Sequence, residues 1–104
     1  MKLYTITEKG FRTLCKKCGL SNGAFFDALN ALKTIGHFNY NATENKNTET
    51  DDHTWTFYQK EAKELSTEVS LLSGKRTSKS KAFQMFEEQC KEDWETVIYP
   101  KYYN

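Results

Sequence analysis

The sequence predicts a mixed α/β (α+β) domain in which short helices and a β-hairpin share one core. Three observations lead there. Between Leu14 and Phe38 two amphipathic stretches are separated only by Gly-Leu-Ser. After Gly36 the apolar spacing changes from three and four to two, and beyond Gln59 the three-and-four spacing returns twice.

In the first stretch Leu14, Cys15 and Cys18 lie on one helical face. Gly19 is suited to the left-handed conformation that ends a helix, and Ser21 to capping the next one. In the second, Phe25, Ala28, Leu29, Leu32 and Ile35 predict a helix from about Asn22 to Ile35 with one buried face, stopped by Gly36. Ahead of both, residues 1–7 read as a short strand carrying Leu3, Tyr4 and Ile6.

Leu14, Cys15, Gly19, Leu20, Ser21, Phe25, Ala28, Leu29, Leu32 and Gly36 match, without a gap, the pattern Leu-Ala-x-x-x-Gly-Leu-Ser-x-x-x-Val-x-x-Ala-Leu-x-x-Leu-x-x-x-Gly. The segment resembles the helix-turn-helix of winged-helix proteins. That resemblance implies a single winged helix-turn-helix domain over 1–104, with the helix-turn-helix at about 8–36, a β-hairpin wing at about 37–59 and two C-terminal helices at about 60–98. The residues after Gly36 suit the hairpin. Phe38 and Tyr40 alternate along 37–42, Trp55 and Phe57 alternate along 53–59, and the 43–52 segment between them is polar throughout.

Further on, Tyr58, Ala62, Leu65, Val69 and Leu72 predict a narrow apolar seam on a helix from about Lys60 to Leu72. After a basic loop, Ala82, Phe83, Phe86, Cys90, Trp94 and Val97 predict a broad aromatic face, with Glu87, Glu88, Glu92, Asp93 and Glu95 outside it and Pro100 beyond its end. Winged-helix domains usually begin with a full helix that completes a three-helix core, and this chain has only the short strand there. Either the C-terminal helices fold back within the chain, or they pack on a second subunit. The aromatic excess favours a homodimer, with Phe83, Phe86, Trp94 and Val97 at its interface.

The net charge of +1 conceals blocks. Residues 1–40 carry a net +4, 41–72 a net −4, 73–81 a net +4 and 82–104 a net −3. The positive blocks are candidates for phosphate contact. Thirteen lysines against two arginines suit an AT-rich coding sequence or a mobile element. A chain of 104 residues with 14% aromatic content can bury one core. It holds no apolar run of membrane-spanning length and no apolar signal region, so no membrane partner and a cytoplasmic location are expected.

Cys15-Lys-Lys-Cys18 has the two-residue gap of metal and redox sites, but both cysteines occupy small or apolar positions of the helix-turn-helix pattern and no second pair completes a tetrahedron. They read as core; no metal, no cofactor and no catalysis are expected. His37 and His53 flank the base of the hairpin and are candidates to pair across it.

The resemblance implies binding of double-stranded DNA. The second helix would enter the major groove with Asn22, Gly23, Phe26, Asn30 and Lys33, although Asp27 beside them would face phosphate. Arg12, Lys16 and Lys17 on the preceding helix would touch the DNA backbone. Asn39, Asn41, Asn45, Lys46 and Asn47 would let the wing enter the minor groove, and Lys75 and Arg76 form a second basic contact. The expected function is a non-catalytic regulator, or an accessory factor of a larger complex in plasmid or phage DNA processing such as conjugative transfer or replication. The alternative is a protein-interaction module, such as a phage-type inhibitor on the same scaffold; exposed Phe26 and Asp27 would favour it.

Overall fold

The computed structural model describes residues 2–38 and 53–99, apart from the side chain of Val97. In chain order the elements are β1 (Leu3–Thr7), α1 (Glu8–Cys18), α2 (Asn22–Ile35), β2 (His37–Phe38), β3 (Thr54–Tyr58), α3 (Gln59–Leu72) and α4 (Lys79–Asp93), followed by a π-helical turn over Trp94–Ile98. The fold is α+β. β3 lies between β1 and β2 and runs antiparallel to both, with Trp55 opposite Ile6 on one side and Phe38 on the other.

Local chemistry sets most of these boundaries. Thr7 caps α1 by accepting from the Gly10 N–H at 2.8 Å, and Gly19 closes it at φ 90°, a conformation that a Cβ would strain. Ser21 caps α2 by accepting from the Ala24 N–H at 3.2 Å. α2 ends because Gly36 turns to extended backbone. The site has no room for a side chain, since a Cβ there would sit 2.6 Å from Cζ of Phe57 and 2.9 Å from the Leu32 carbonyl oxygen.

The helices bury the faces that the periodicity picks out in α1 and α2: Leu14, Cys15 and Cys18, then Phe25, Ala28 and Leu32. In α3 the seam is shifted. Ala62, Leu65 and Val69 are buried, but Tyr58 is the last residue of β3 and lies exposed, its ring edge-on to His37. Ser66 and Ser70 complete the buried face because each hydroxyl finds a carbonyl, of Ala62 at 2.8 Å and of Thr77 at 2.7 Å. His37 and His53 do not pair. His37 sits opposite Thr56 and bonds Glu61 of α3 at 2.9 Å, while the His53 ring packs on Phe38 and Trp55.

The C-terminal helices fold back on their own chain. α4 lies against β1, α1 and α3, and α3 against α2. Phe86, expected at a dimer interface, is instead 1% exposed in the core, its ring 5.4 Å from that of Phe57 and 6.1 Å from that of Tyr4. Phe83 is half-buried, edge-on to Tyr4 at 5.9 Å. The aromatic stripe does not continue to Trp94, which is 43% exposed. The buried line of α4 runs through Ala82, Phe86, Gln89, Cys90 and Asp93, which leaves Trp94 beside it, and Ile98 of the π-helical turn is buried again at 3% exposure. The side chain of Val97, the remaining expected interface residue, lies outside those described.

The largest departure from the sequence expectation is Asp93. Expected on the solvated face, it is 4% exposed. Its Oδ2 accepts from the Thr7 N–H at 2.9 Å and from the Thr7 hydroxyl at 3.1 Å, and its Oδ1 from the Gln89 amide at 3.0 Å. Thr7 thereby links the carboxylate to the cap of α1, and Gly10 is the residue whose missing side chain makes space for it.

Candidate nucleic-acid interface

The site is built on the turn between α1 and α2. The Gly19 N–H donates to Lys16 O and the Leu20 N–H to Cys15 O, each at 3.1 Å, so the chain reverses within three residues and presents the N-terminus of α2. Along α2, Asn22, Gly23, Phe26, Asp27, Asn30 and Lys33 are all exposed, with Phe26 at 63%. Two asparagines and one apolar ring on a free helical face have the reach to touch base edges. Asp27 shares that face.

Basic side chains converge on the same turn from two parts of the chain. Arg12, Lys16 and Lys17 are exposed on α1, the two lysines in its last turn, where the partial negative charge of the helix end favours cations. The Arg12 guanidinium stacks over the Phe25 ring at 4.6 Å, which holds it toward α2. The second block arrives through tertiary contact. Arg76 donates to the Gly19 carbonyl oxygen at 3.3 Å, and the buried Thr77 hydroxyl donates to that of Cys18 at 2.9 Å. The turn between α3 and α4, with Lys75 at φ 73°, is thus tied to the end of α1. Arg76, distant in sequence, thereby meets the turn itself, while Lys17 borders a groove shared with Glu88, Glu92 and Glu95.

Two further lysines that the sequence reading did not single out open α4, with Lys79 bordering a groove beside Gln59, Lys63 and Thr67. Lys79 and Lys81 are exposed in the first turn of α4, which contains no acidic residue. Positive side chains at a helix N-terminus oppose the helix dipole, so an anion there would relieve both. Their signal was Ser78 followed by two lysines and no acid, a poor opening for a helix selected only for stability. Among the described residues the ion pairs are Lys2 with Glu87 and His37 with Glu61. None of the cations around the α1–α2 turn is neutralised by one. Asn39, Asn41, Asn45, Lys46 and Asn47 lie outside the described residues.

Cys15 and Cys18 are both 1% exposed, packed under the turn rather than facing it. Burial, and secondarily the neighbouring Cys18, pushes the Cys15 thiol up to about 12; burial also raises Cys18, against a hydrogen bond with Thr77 that lowers it. Cys90 is raised by burial first and by Asp93 next. Thiols held protonated are poor metal ligands and poor nucleophiles. Native protein is therefore expected to resist a thiol-alkylating reagent near neutral pH until it unfolds, and to keep its melting temperature in chelator. Rapid labelling of Cys15 or Cys18 in folded protein would contradict their placement.

Among the described residues no helix is long and apolar enough to cross a membrane. Comparison with known protein families, curated proteins and solved structures finds no match to this chain.

Proposed function

We propose that this chain is a winged helix-turn-helix protein that binds duplex DNA without catalysing a reaction on it, as a regulator or as an accessory factor for a larger DNA-processing assembly. The observation that carries the reading is the meeting of Arg76 with Gly19 at the turn that opens α2, where Arg12, Lys16, Lys17 and Arg76 are in no ion pair among the described residues. The order of elements supports it: a helix pair is followed directly by the antiparallel strands β2 and β3, and α4 stands in for the leading helix of the family.

In this reading α2 lies in the major groove. Asn22 and Asn30 face adenine edges, Phe26 faces a thymine methyl, and Lys16, Lys17 and Lys75 hold phosphates on either side of the α2 N-terminus. The exposed Phe26 and Asp27 favour a second reading, a protein-docking face on the same helix. Asp27 is the discriminating residue, because a negative charge beside phosphate weakens DNA binding and carries no such cost against a basic protein.

The test is binding to random and selected duplexes between about 50 and 200 mM salt. Lys16→Ala, Lys17→Ala and Lys75→Ala are each expected to reduce the salt slope by about one and to weaken all sequences alike. Asn22→Ala and Asn30→Ala are expected to cost about 1–3 kcal/mol on the preferred site and to leave the slope unchanged. Asp27→Ala should tighten binding. Absence of binding at low salt would transfer the face to the docking reading.

A further inference from the structure

β1 is an edge strand, with β3 on one side and the C-terminal half of α4 bordering the other. Two hydrogen bonds reveal which backbone groups point off that edge. The Glu8 N–H donates to His53 O at 2.9 Å, extending the ladder toward β3. The Thr7 N–H points the opposite way, to Asp93. By the alternation of an antiparallel ladder, the N–H and C=O groups of Leu3 and Thr5 also face away from β3. Among the described residues nothing pairs with them.

These groups border a groove of about 720 Å³ lined by Leu3, Tyr4, Cys90 and Trp94 and rimmed by charge. Leu3 is 55% exposed and Trp94 43%, and the exposed Tyr99 ring lies 6.5 Å from that of Trp94. A free edge beside exposed apolar side chains is a template for strand addition.

We propose that the occupant is a second copy of this chain, β1 against β1 antiparallel, on a twofold axis at Tyr4. Asp93 closes the edge at Thr7, so the open positions are Leu3 and Thr5, placed symmetrically about Tyr4. An antiparallel copy sets Leu3 of one chain opposite Thr5 of the other in both directions, each pair exchanging the two hydrogen bonds of a bonded pair. A longer foreign strand meets the blocked position. The rim carries Lys2 and Lys91 with Glu87 and Glu88, a balanced set that is its own complement under a twofold axis and offers nothing to a strongly charged partner. This interface replaces the Phe86 face and is independent of DNA binding, which plays no part in its test.

Sedimentation equilibrium of the full chain without DNA, from low to several hundred micromolar, should approach twice 12.1 kDa. Leu3→Pro removes an outward donor at the first strand residue, where proline is tolerated, and Leu3→Lys places a charge on the edge. Each should weaken association at least tenfold with the circular dichroism unchanged; if Leu3→Pro disturbs the fold, Leu3→Lys decides. The Leu3 and Thr5 amides should exchange more slowly as concentration rises. The proposal is overturned by a monomer at the highest concentration, or by a dimer that Leu3→Lys leaves intact. Tighter association of the full chain carrying Tyr102→Ser and Tyr103→Ser would also overturn it, by making the chain's own C-terminal residues the occupant.

Discussion

Gly10→Ala is expected to destabilise the protein by roughly 3 kcal/mol, the upper end for forcing atoms into a filled site. For a domain of this length that lowers the melting temperature by roughly 10–20 °C. The cause is local and named. A Cβ on Gly10 would stand within 3 Å of all three carboxyl atoms of Asp93, which are held by Thr7 and Gln89. Asp93→Ala makes space but leaves the Thr7 N–H without its acceptor, costing about 1–3 kcal/mol for each donor left buried and unpaired. The double variant is the decisive measurement. With the carboxylate gone, Gly10→Ala should cost little or become favourable, since alanine suits a helix better than glycine by about 1 kcal/mol, and additive losses would refute the contact.

The same carboxylate makes stability depend on pH. Burial raises the pKa of Asp93 above its ordinary 3.8, with the donors of Thr7 and Gln89 offsetting part of the rise. The folded chain therefore holds this proton more tightly than the unfolded chain, and the Asp93 contribution is greatest below pH 3.8 and declines as pH rises through the folded value. Glu61 acts in the opposite sense. Its bond from the Tyr58 N–H, then its contact with His37, lowers its pKa below the ordinary 4.5, so its contribution is lost as pH falls below that value. Urea titrations of wild type, Asp93→Asn and Glu61→Gln across the acid range should separate the two slopes.

Phe86→Ala should cost about 3–5 kcal/mol, the loss expected of a fully buried aromatic ring. Trp94→Ala, at 43% exposure, should cost the monomer less than Phe86→Ala does while weakening self-association. The pair separates core from interface. Phe86 touches Phe57 and Tyr4 of its own chain, so its loss must appear in denaturation curves at every protein concentration. A concentration-dependent loss for Phe86→Ala would mean that α4 packs across a dimer.

What the amino-acid sequence determines by itself is what a few neighbouring residues can settle. Gly19 and Ser21 end one helix and begin the next because left-handed backbone and an N-terminal cap are properties of three or four consecutive residues. The apolar spacing of α1 and α2 is legible for the same reason, with Phe25, Ala28 and Leu32 of the α2 stripe buried and Leu29 and Ile35 half-buried at its margin. Trp55 and Phe57 are likewise legible as the buried alternation of β3.

Only the tertiary structure decides the rest. Asp93 stands among acidic residues that face water, and nothing near it in sequence distinguishes it; its burial depends on Thr7, 86 positions earlier, and on the absence of a side chain at Gly10. Lys75 and Arg76 read as an isolated basic loop until Arg76 meets Gly19. The choice between packing α4 in its own chain and across a subunit is equally invisible to periodicity, because an apolar face records that it must be covered and carries no record of what covers it. Here Tyr4, Phe57 and Phe86 supply the answer: their rings meet within one chain, since β1 at one end of the sequence and α4 at the other are brought together over β3.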